Sequence, residues 1–181
     1  SLFTNVEDEA VISAYNVHQT VYEIPLIFAE QKLDEIILRK LGLPQTPCNL
    51  EDWKRVVETY KNARRTVRIG LAGKYTELLD SYKSIYEALY HGAIANGCKI
   101  ELVKVDSDHL PWGEELAGRL EGLNGILIPG GFGQRGIEGM IGAAGYARRA
   151  GLPCFGICLG MQVMVIEYAR SVLGWADANS T

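Results

Sequence analysis

"LPCFGICLGMQVMVIEYARSVLG", residues 152–174, decides the fold. An apolar run ends in Gly156, Cys158 and Gly160, and a helix-like pattern follows from Leu159. The reading is a buried strand that turns sharply into a helix. The order glycine, any residue, cysteine, any residue, glycine has the form of a nucleophile elbow with cysteine in the serine place. Glycines on either side remove the Cβ atoms that would clash in so tight a turn. Cys158 then stands at a helix N-terminus, where free N–H groups and the helix dipole favour an anionic sulfur. Cys154, four residues earlier in the apolar run, reads as a buried core cysteine.

Working outward, the same strand–helix alternation covers residues 66–181. "TVRIGLAG", "KIELVKVD", "GILIPGG" and "LPCFGIC" read as strands, apolar on both faces as in a buried parallel sheet. "DSYKSIYEALYHGAIANG" reads as a helix capped by Asp80 and stopped by Gly97. "PWGEELAGRLEG", "EGMIGAAGYARRAG" and "LGMQVMVIEYARSVLG" supply the other helices. Four strands with intervening helices predict an α/β, doubly wound parallel sheet. In such sheets sites gather at the carboxyl ends of the strands. Two motifs sit there: the elbow, and "PGGFGQRG" at residues 129–136. The second lacks the Lys-Ser/Thr of a Walker A loop. On local pattern it is equally an anion-binding turn or an oxyanion loop, with Gly131 the chosen donor.

The remaining 65 residues read differently. "AVISAYNV" is apolar and strand-like. The stretch after it becomes helical from about Ile27, with Leu33, Ile36, Ile37 and Leu41 at helical spacing and Gly42 as the stop. "PQTPCN" is turn-like, and "NLEDWKRVVETYKNARR" is an amphipathic helix with Trp53, Val56, Val57 and Tyr60 on one face and Asn49 as its N-cap. Residues 1–43 are too short to form a domain alone, and 44–65 read as a linker.

Bulk numbers exclude several classes. A chain of 181 residues with a net charge of −4 has no global nucleic-acid footprint. No apolar run approaches the roughly 20 residues of a membrane span. The four cysteines form no CxxC pair, which argues against a zinc site, and they are too sparse for a disulfide framework. A cytoplasmic location and no metal within the chain are the resulting expectations. The start, "SLFTNVEDEA", has no initiator Met and is read as part of a longer chain.

The elbow together with "PGGFG" resembles the class I, triad-type glutamine amidotransferases. "GLAGKYTELLDSYKSIYEALYHG", "ILIPGGFGQRGIEGMI", "FGICLGMQ" and "VLGWADANST" narrow the resemblance to the CTP synthase family, and "SLFTNVEDEAVISAYNV…VYEIPL" is similar to the end of that family's synthetase (amidoligase) domain. The resemblance implies a flavodoxin-like amidotransferase fold, truncated, over residues 66–181. It implies a synthetase remnant over 1–43 and an interdomain linker over 44–65. It implies that glutamine hydrolysis supplies ammonia for ATP- and Mg²⁺-dependent amination of UTP to CTP, with GTP as activator and a homotetrameric enzyme. Cys158 is then the nucleophile toward glutamine, Gly131 and Leu159 supply oxyanion N–H groups, and Gln162 helps bind the substrate. Lys74, Tyr75 and Arg135 fall in a region tied to the GTP activator, against the plainer readings of a surface loop and a solvated arginine at a helix start.

The family's Cys works with a later His and Glu in an "HPE"-type element, which this sequence does not contain; its glutamine-binding Glu normally follows "DANST". His18, His91 and His109 all precede Cys158 and none is expected to be the base. "NVHQTVYEIP" departs from the family's wording near His18, so no ATP, UTP or Mg²⁺ ligand is carried over. The chain alone is expected not to hydrolyse glutamine. Another class I amidotransferase, such as the GMP-forming kind, and a non-catalytic relative used for assembly stand as the alternatives.

Overall fold

The computed structural model describes residues 5–17, 19–75, 79–111 and 113–180; His18 lies outside them. The chain divides into two compact units, residues 1–63 and 64–181.

The first unit is helical: α1 (Ile24–Glu30), α2 (Leu33–Lys40) and α3 (Glu51–Asn62). Among the described residues "AVISAYNV" forms no strand, contrary to the sequence reading. A strand needs a partner ladder. Here the backbone N–H of Ser13 donates instead to the Gln31 side-chain oxygen (2.7 Å), and the Gln31 amide donates back to the Ser13 carbonyl (3.1 Å). The helix also starts earlier than Ile27. Thr20 accepts from the Tyr22 N–H and leads into a 3₁₀ turn, and Pro25 sits in the first turn of α1, where its missing N–H costs nothing. Lys32, in the left-handed region at φ 56°, breaks the pattern into two helices. Ile36 is buried while Ile37 and Leu41 are exposed. Gly42 (φ +65°) ends α2 as read. The Asn49 side chain accepts from the Glu51 N–H (3.0 Å), one residue outside the N-cap position. Helix α3 is held to this unit by the Trp53 indole donating to the Tyr22 carbonyl and by the Lys61–Glu23 ion pair.

The second unit is a parallel sheet of β1 (Arg65–Gly73), β2 (Cys98–Asp106), β3 (Gly125–Ile128) and β4 (Cys154–Gly156), in the order β2-β1-β3-β4. Its helices are α4 (Lys83–Ala95), α5 (Gly113–Leu120), α6 (Ile137–Ala150) and α7 (Leu159–Ser171). Register runs Arg65↔Cys98 to Gly73↔Asp106, Ile69↔Gly125 and Ile126↔Cys154. Alternation along the strands splits the core. Ala72, Val105, Ile126 and Ile128 join Leu116, Leu120, Met140, Ala144, Val163 and Ile166 of α5, α6 and α7 on one face. Leu71 and Leu127 join Tyr82, Ile85 and Leu89 on the other. This is the doubly wound, flavodoxin-like α/β fold.

Two sequence readings need correction here. Asp80 is not the cap of α4: it lies inside a 3₁₀ turn, Leu79–Tyr82, and Tyr82 stands at the N-cap. The strands are not uniformly apolar on both faces either. All of β3 is buried, but β2 alternates and Phe155 in β4 is 63% exposed, because both are edge strands among the described residues.

Connections change side between β1 and β3: α4 packs on one face and α6 on the other. That switch point, at the carboxyl ends of β1, β3 and β4, is where an open α/β sheet forms its crevice.

Candidate active site

Three loops meet there, after β1, β3 and β4. In the last, the sheet holds the chain up to Ile157, whose N–H donates to the Ile128 carbonyl (2.9 Å). Cys158 then adopts φ 54°, ψ −107°, a conformation that L-residues rarely take. Such strain costs of order 1–3 kcal/mol and is kept where the surroundings enforce it. The enforcement is visible in the flanking glycines. A Cβ on Gly156 would lie 2.4 Å from the backbone of Gly160, and one on Gly160 would lie 2.0 Å from the Ile128 carbonyl oxygen. The N-terminus of α7 is thus pressed onto the ends of β3 and β4. The turn exposes Cys158.

The Cys158 carbonyl already accepts the Gln162 N–H (3.2 Å), which makes Cys158 the N-cap of α7. Leu159 is the first helical residue, and its N–H has no intrahelical acceptor. Gln162 is exposed one turn further on, and its side-chain oxygen stands 3.5 Å from the Ser180 hydroxyl.

The glycine turn after β3 lies against this elbow. A Cβ on Gly130 would stand 3.5 Å from the Cys158 Cβ, and one on Gly131 would stand 3.6 Å from Leu159 Cδ2, 3.2 Å from Lys74 Cε and 3.7 Å from Tyr75 Cε2. The fold therefore brings Cys158, Leu159 and Gly131 together.

Lys74 differs from its plainer reading, while Arg135 is exposed just before α6, as a solvated arginine at a helix start would be, yet has partners. Lys74 is no surface residue: it is 5% exposed, and its Nζ donates to the carbonyls of Gly133 (2.7 Å) and Phe132 (3.1 Å). Burial pulls its ammonium pKa down, opposed by the Asp108 carboxylate. Arg135 donates to the Lys74 carbonyl (3.1 Å), pairs with Asp108 (3.0 Å) and lies over the Tyr75 ring, 5.8 Å from its centroid. The Tyr75 N–H in turn approaches the Tyr82 hydroxyl (3.3 Å). Asp108 is the residue that sequence reasoning missed. The acidic "VDSDH" at the end of a strand was its one available signal.

Neither described histidine is placed beside Cys158 by the topology. His109 follows β2, three strand positions from β4, or about 14 Å at the usual strand spacing. Its Nδ1 is 2.7 Å from Asp106 Oδ2. His91 lies near the C-terminal end of α4, shortly before β2 begins, at the opposite end of the sheet from the crevice. Among the described residues no group of three or more His, Cys, Asp or Glu side chains is placed to hold a metal ion. No helix is long and apolar enough to cross a membrane among them.

Residues 77–180 match the family "Glutamine amidotransferase class-I", more than half of the chain. The chain belongs to the class I glutamine amidotransferase family. Within that family it is 48% identical to the CTP synthase of Aquifex aeolicus over 181 residues, covering 100% of this chain and 33% of that protein. It is 46% identical to the CTP synthase of Protochlamydia amoebophila over 182 residues, covering 100% of this chain and 34% of that protein. The chain therefore spans about one third of the length of these curated relatives. Among solved structures, the glutaminase domain of Trypanosoma brucei CTPS with bound acivicin matches with a TM-score of 0.58 and 44% identity. That match covers 63% of this chain and 44% of the trypanosome chain.

Proposed function

We propose that this chain is the interdomain junction and the first part of the amidotransferase domain of a CTP synthase, and that Cys158 attacks the side-chain carboxamide of glutamine. The observation that carries the reading is the strained, exposed Cys158 at the start of α7, packed against the Gly130–Gly131 turn. Likeness to the two CTP synthases supports the synthase over another amidotransferase. It runs over all 181 residues, including 1–63, which the amidotransferase match leaves out.

Chemically, the sulfur forms a bond to the carboxamide carbon, and the carbonyl electrons move onto oxygen. The N–H groups of Leu159 and Gly131 receive that oxyanion; a well-placed donor of this kind is typically worth about 10²–10³ in rate. Collapse expels ammonia, once the nitrogen has gained a proton, and leaves a γ-glutamyl thioester. Water then releases glutamate and restores the thiol. Gln162 lines the substrate side of the elbow. In the whole enzyme the ammonia goes to ATP-dependent amination of UTP, with GTP as activator near Lys74, Tyr75 and Arg135, in a cytoplasmic homotetramer.

The base that takes the thiol proton is not among the described histidines. The test is ammonia release from glutamine by the natural protein, with and without Cys158→Ala. Loss of release in the variant supports the reading; persistence at the unsubstituted rate overturns it.

A further inference from the structure

The mechanism above leaves a buried cation unused. Lys74 follows β1, yet its ammonium is spent on the backbone of a different loop, donating to the carbonyls of Phe132 and Gly133. Those two residues follow Gly131 directly. Phe132 is 89% exposed, so its side chain does not anchor the turn, and Gly133 stands at φ +77°. A glycine turn without side-chain anchors is intrinsically mobile. Something else must hold it against the elbow, and Lys74 makes the two bonds that do.

The clamp is itself clamped. Arg135, two residues beyond Gly133, reaches back to the Lys74 carbonyl and pairs with Asp108 on the loop after β2. Loops after β1, β2 and β3 are thus tied to one another by two cations. The packing leaves little slack. A Cβ on Gly131 would come within 3.2 Å of Lys74 Cε, and one on Gly136 within 2.7 Å of Asp108 Oδ1. No carboxylate bonds the Lys74 ammonium among the described residues; its partners are carbonyls, whose geometry is more directional than a diffuse ion pair.

We propose that Lys74 is a positioning residue for glutamine hydrolysis: its ammonium locks the Phe132 and Gly133 carbonyls and so fixes the turn that carries the Gly131 N–H beside Cys158. Lys74 acts through the turn and does not touch the substrate. The proposal rests on the reading of Cys158 and Gly131 given above.

Two measurements test it together. Hydrogen–deuterium exchange of the natural protein reads the turn directly. Lys74→Met, which keeps the length of the side chain and removes its donors, is expected to speed exchange at 130–135 by about 10-fold or more, while β1 and β3 stay protected. Glutamine hydrolysis by the natural protein reads the consequence. In Lys74→Met, kcat is expected to fall by roughly 10²–10³, as for a lost oxyanion donor, with KM within about threefold. Arg135→Met, at an exposed side chain, is expected to show the same pattern with a smaller loss, and it decides alone if Lys74→Met fails to fold. Unchanged exchange at 130–135 overturns the proposal. So does a kcat within about threefold of the unsubstituted protein, or a raised KM at steady kcat, which would put Lys74 on the substrate. Hydrolysis that survives Cys158→Ala would sink the reading of the site and the proposal with it. Loss in Cys158→Ala with normal kinetics in Lys74→Met sinks the proposal alone.

Discussion

A Cβ on Gly160 would sit 2.0 Å from the carbonyl oxygen of Ile128. That contact is backbone against helix start, so no side chain can swing away to relieve it. It is what lets α7 begin directly above the end of β3 and forces the turn at Cys158. Gly160→Ala is expected to lose about 3 kcal/mol of stability, at the upper end for overpacking. Gly92→Ala is the matched control. Gly92 lies in the interior of α4, and a Cβ there meets nothing within 4 Å. It should gain about 0.5–1 kcal/mol. Denaturant midpoints of the two variants check both signs; a neutral Gly160→Ala would show that the elbow does not depend on this contact.

Glu167 on α7 is 3% exposed, and Arg148 on α6 grips it with two bonds of 2.9 Å. The Arg148 hydrogen bonds hold the Glu167 carboxyl below its ordinary value against the opposing effect of burial. A carboxylate of this kind stabilises the fold above its unfolded pKa, and that contribution is lost as pH falls through the depressed folded value. Glu167→Gln is therefore expected to cost roughly 2 kcal/mol at neutral pH. The gap between variant and unsubstituted chain should close in acid, as urea titrations at a series of pH values would show. A gap that stays constant across pH would mean that the carboxylate charge is not what Arg148 recognises.

How far the sequence could be read depended on whether a feature was local. Gly97 (φ +60°) and the run 125–128 announced themselves, because a helix stop and a buried strand are properties of adjacent residues. The elbow was legible for the same reason: Gly156, Cys158 and Gly160 are neighbours in the chain. "AVISAYNV" misled because an apolar run carries no information about whether a partner strand exists. The Gln31 amide that satisfies Ser13 lies 18 residues away. Lys74, Asp108 and Arg135 come from three loops, and Lys74 and Arg135 are separated by 61 positions. No spacing rule predicts that a lysine after one strand will bond carbonyls after another; only the sheet order β2-β1-β3 brings those loops together.

His109 and Asp106 give a pH-dependent readout on the rim of the same three loops. The hydrogen bond that His109 donates to Asp106, 2.7 Å away, raises the His109 pKa above its ordinary value. Burial pushes Asp106 upward, but bonds from His109 and from the Asp108 N–H leave it lowered. The stability the pair adds holds between the ordinary carboxylate and histidine ranges, fades as pH rises through the raised His109 value, and is lost in acid as Asp106 protonates. An NMR titration should place His109 above the ordinary histidine range. Asp106→Asn should bring it back toward the ordinary range; a His109 titration unmoved by that change would show that the contact is not populated in solution.

The four cysteines offer the sharpest check on the site, because they differ in access. Cys48 and Cys158 are exposed, Cys154 is half-buried, and Cys98 is buried with its sulfur 3.4 Å from the Ala93 carbonyl. Burial, and then the charge of Glu167, push the Cys154 thiol pKa up, which reduces its thiolate fraction. Iodoacetamide followed by peptide mass mapping should therefore modify Cys48 and Cys158 first, Cys154 more slowly and Cys98 last. A diazo-ketone analogue of glutamine selects by shape as well as by access. On the natural protein it should modify Cys158 and spare Cys48, since Cys158 stands beside the Gly130–Gly131 turn that the proposed reaction uses. Modification of Cys154 by that analogue would overturn the elbow assignment. Equal labelling of Cys48 and Cys158 would show exposure alone at work and remove the case for a carboxamide site.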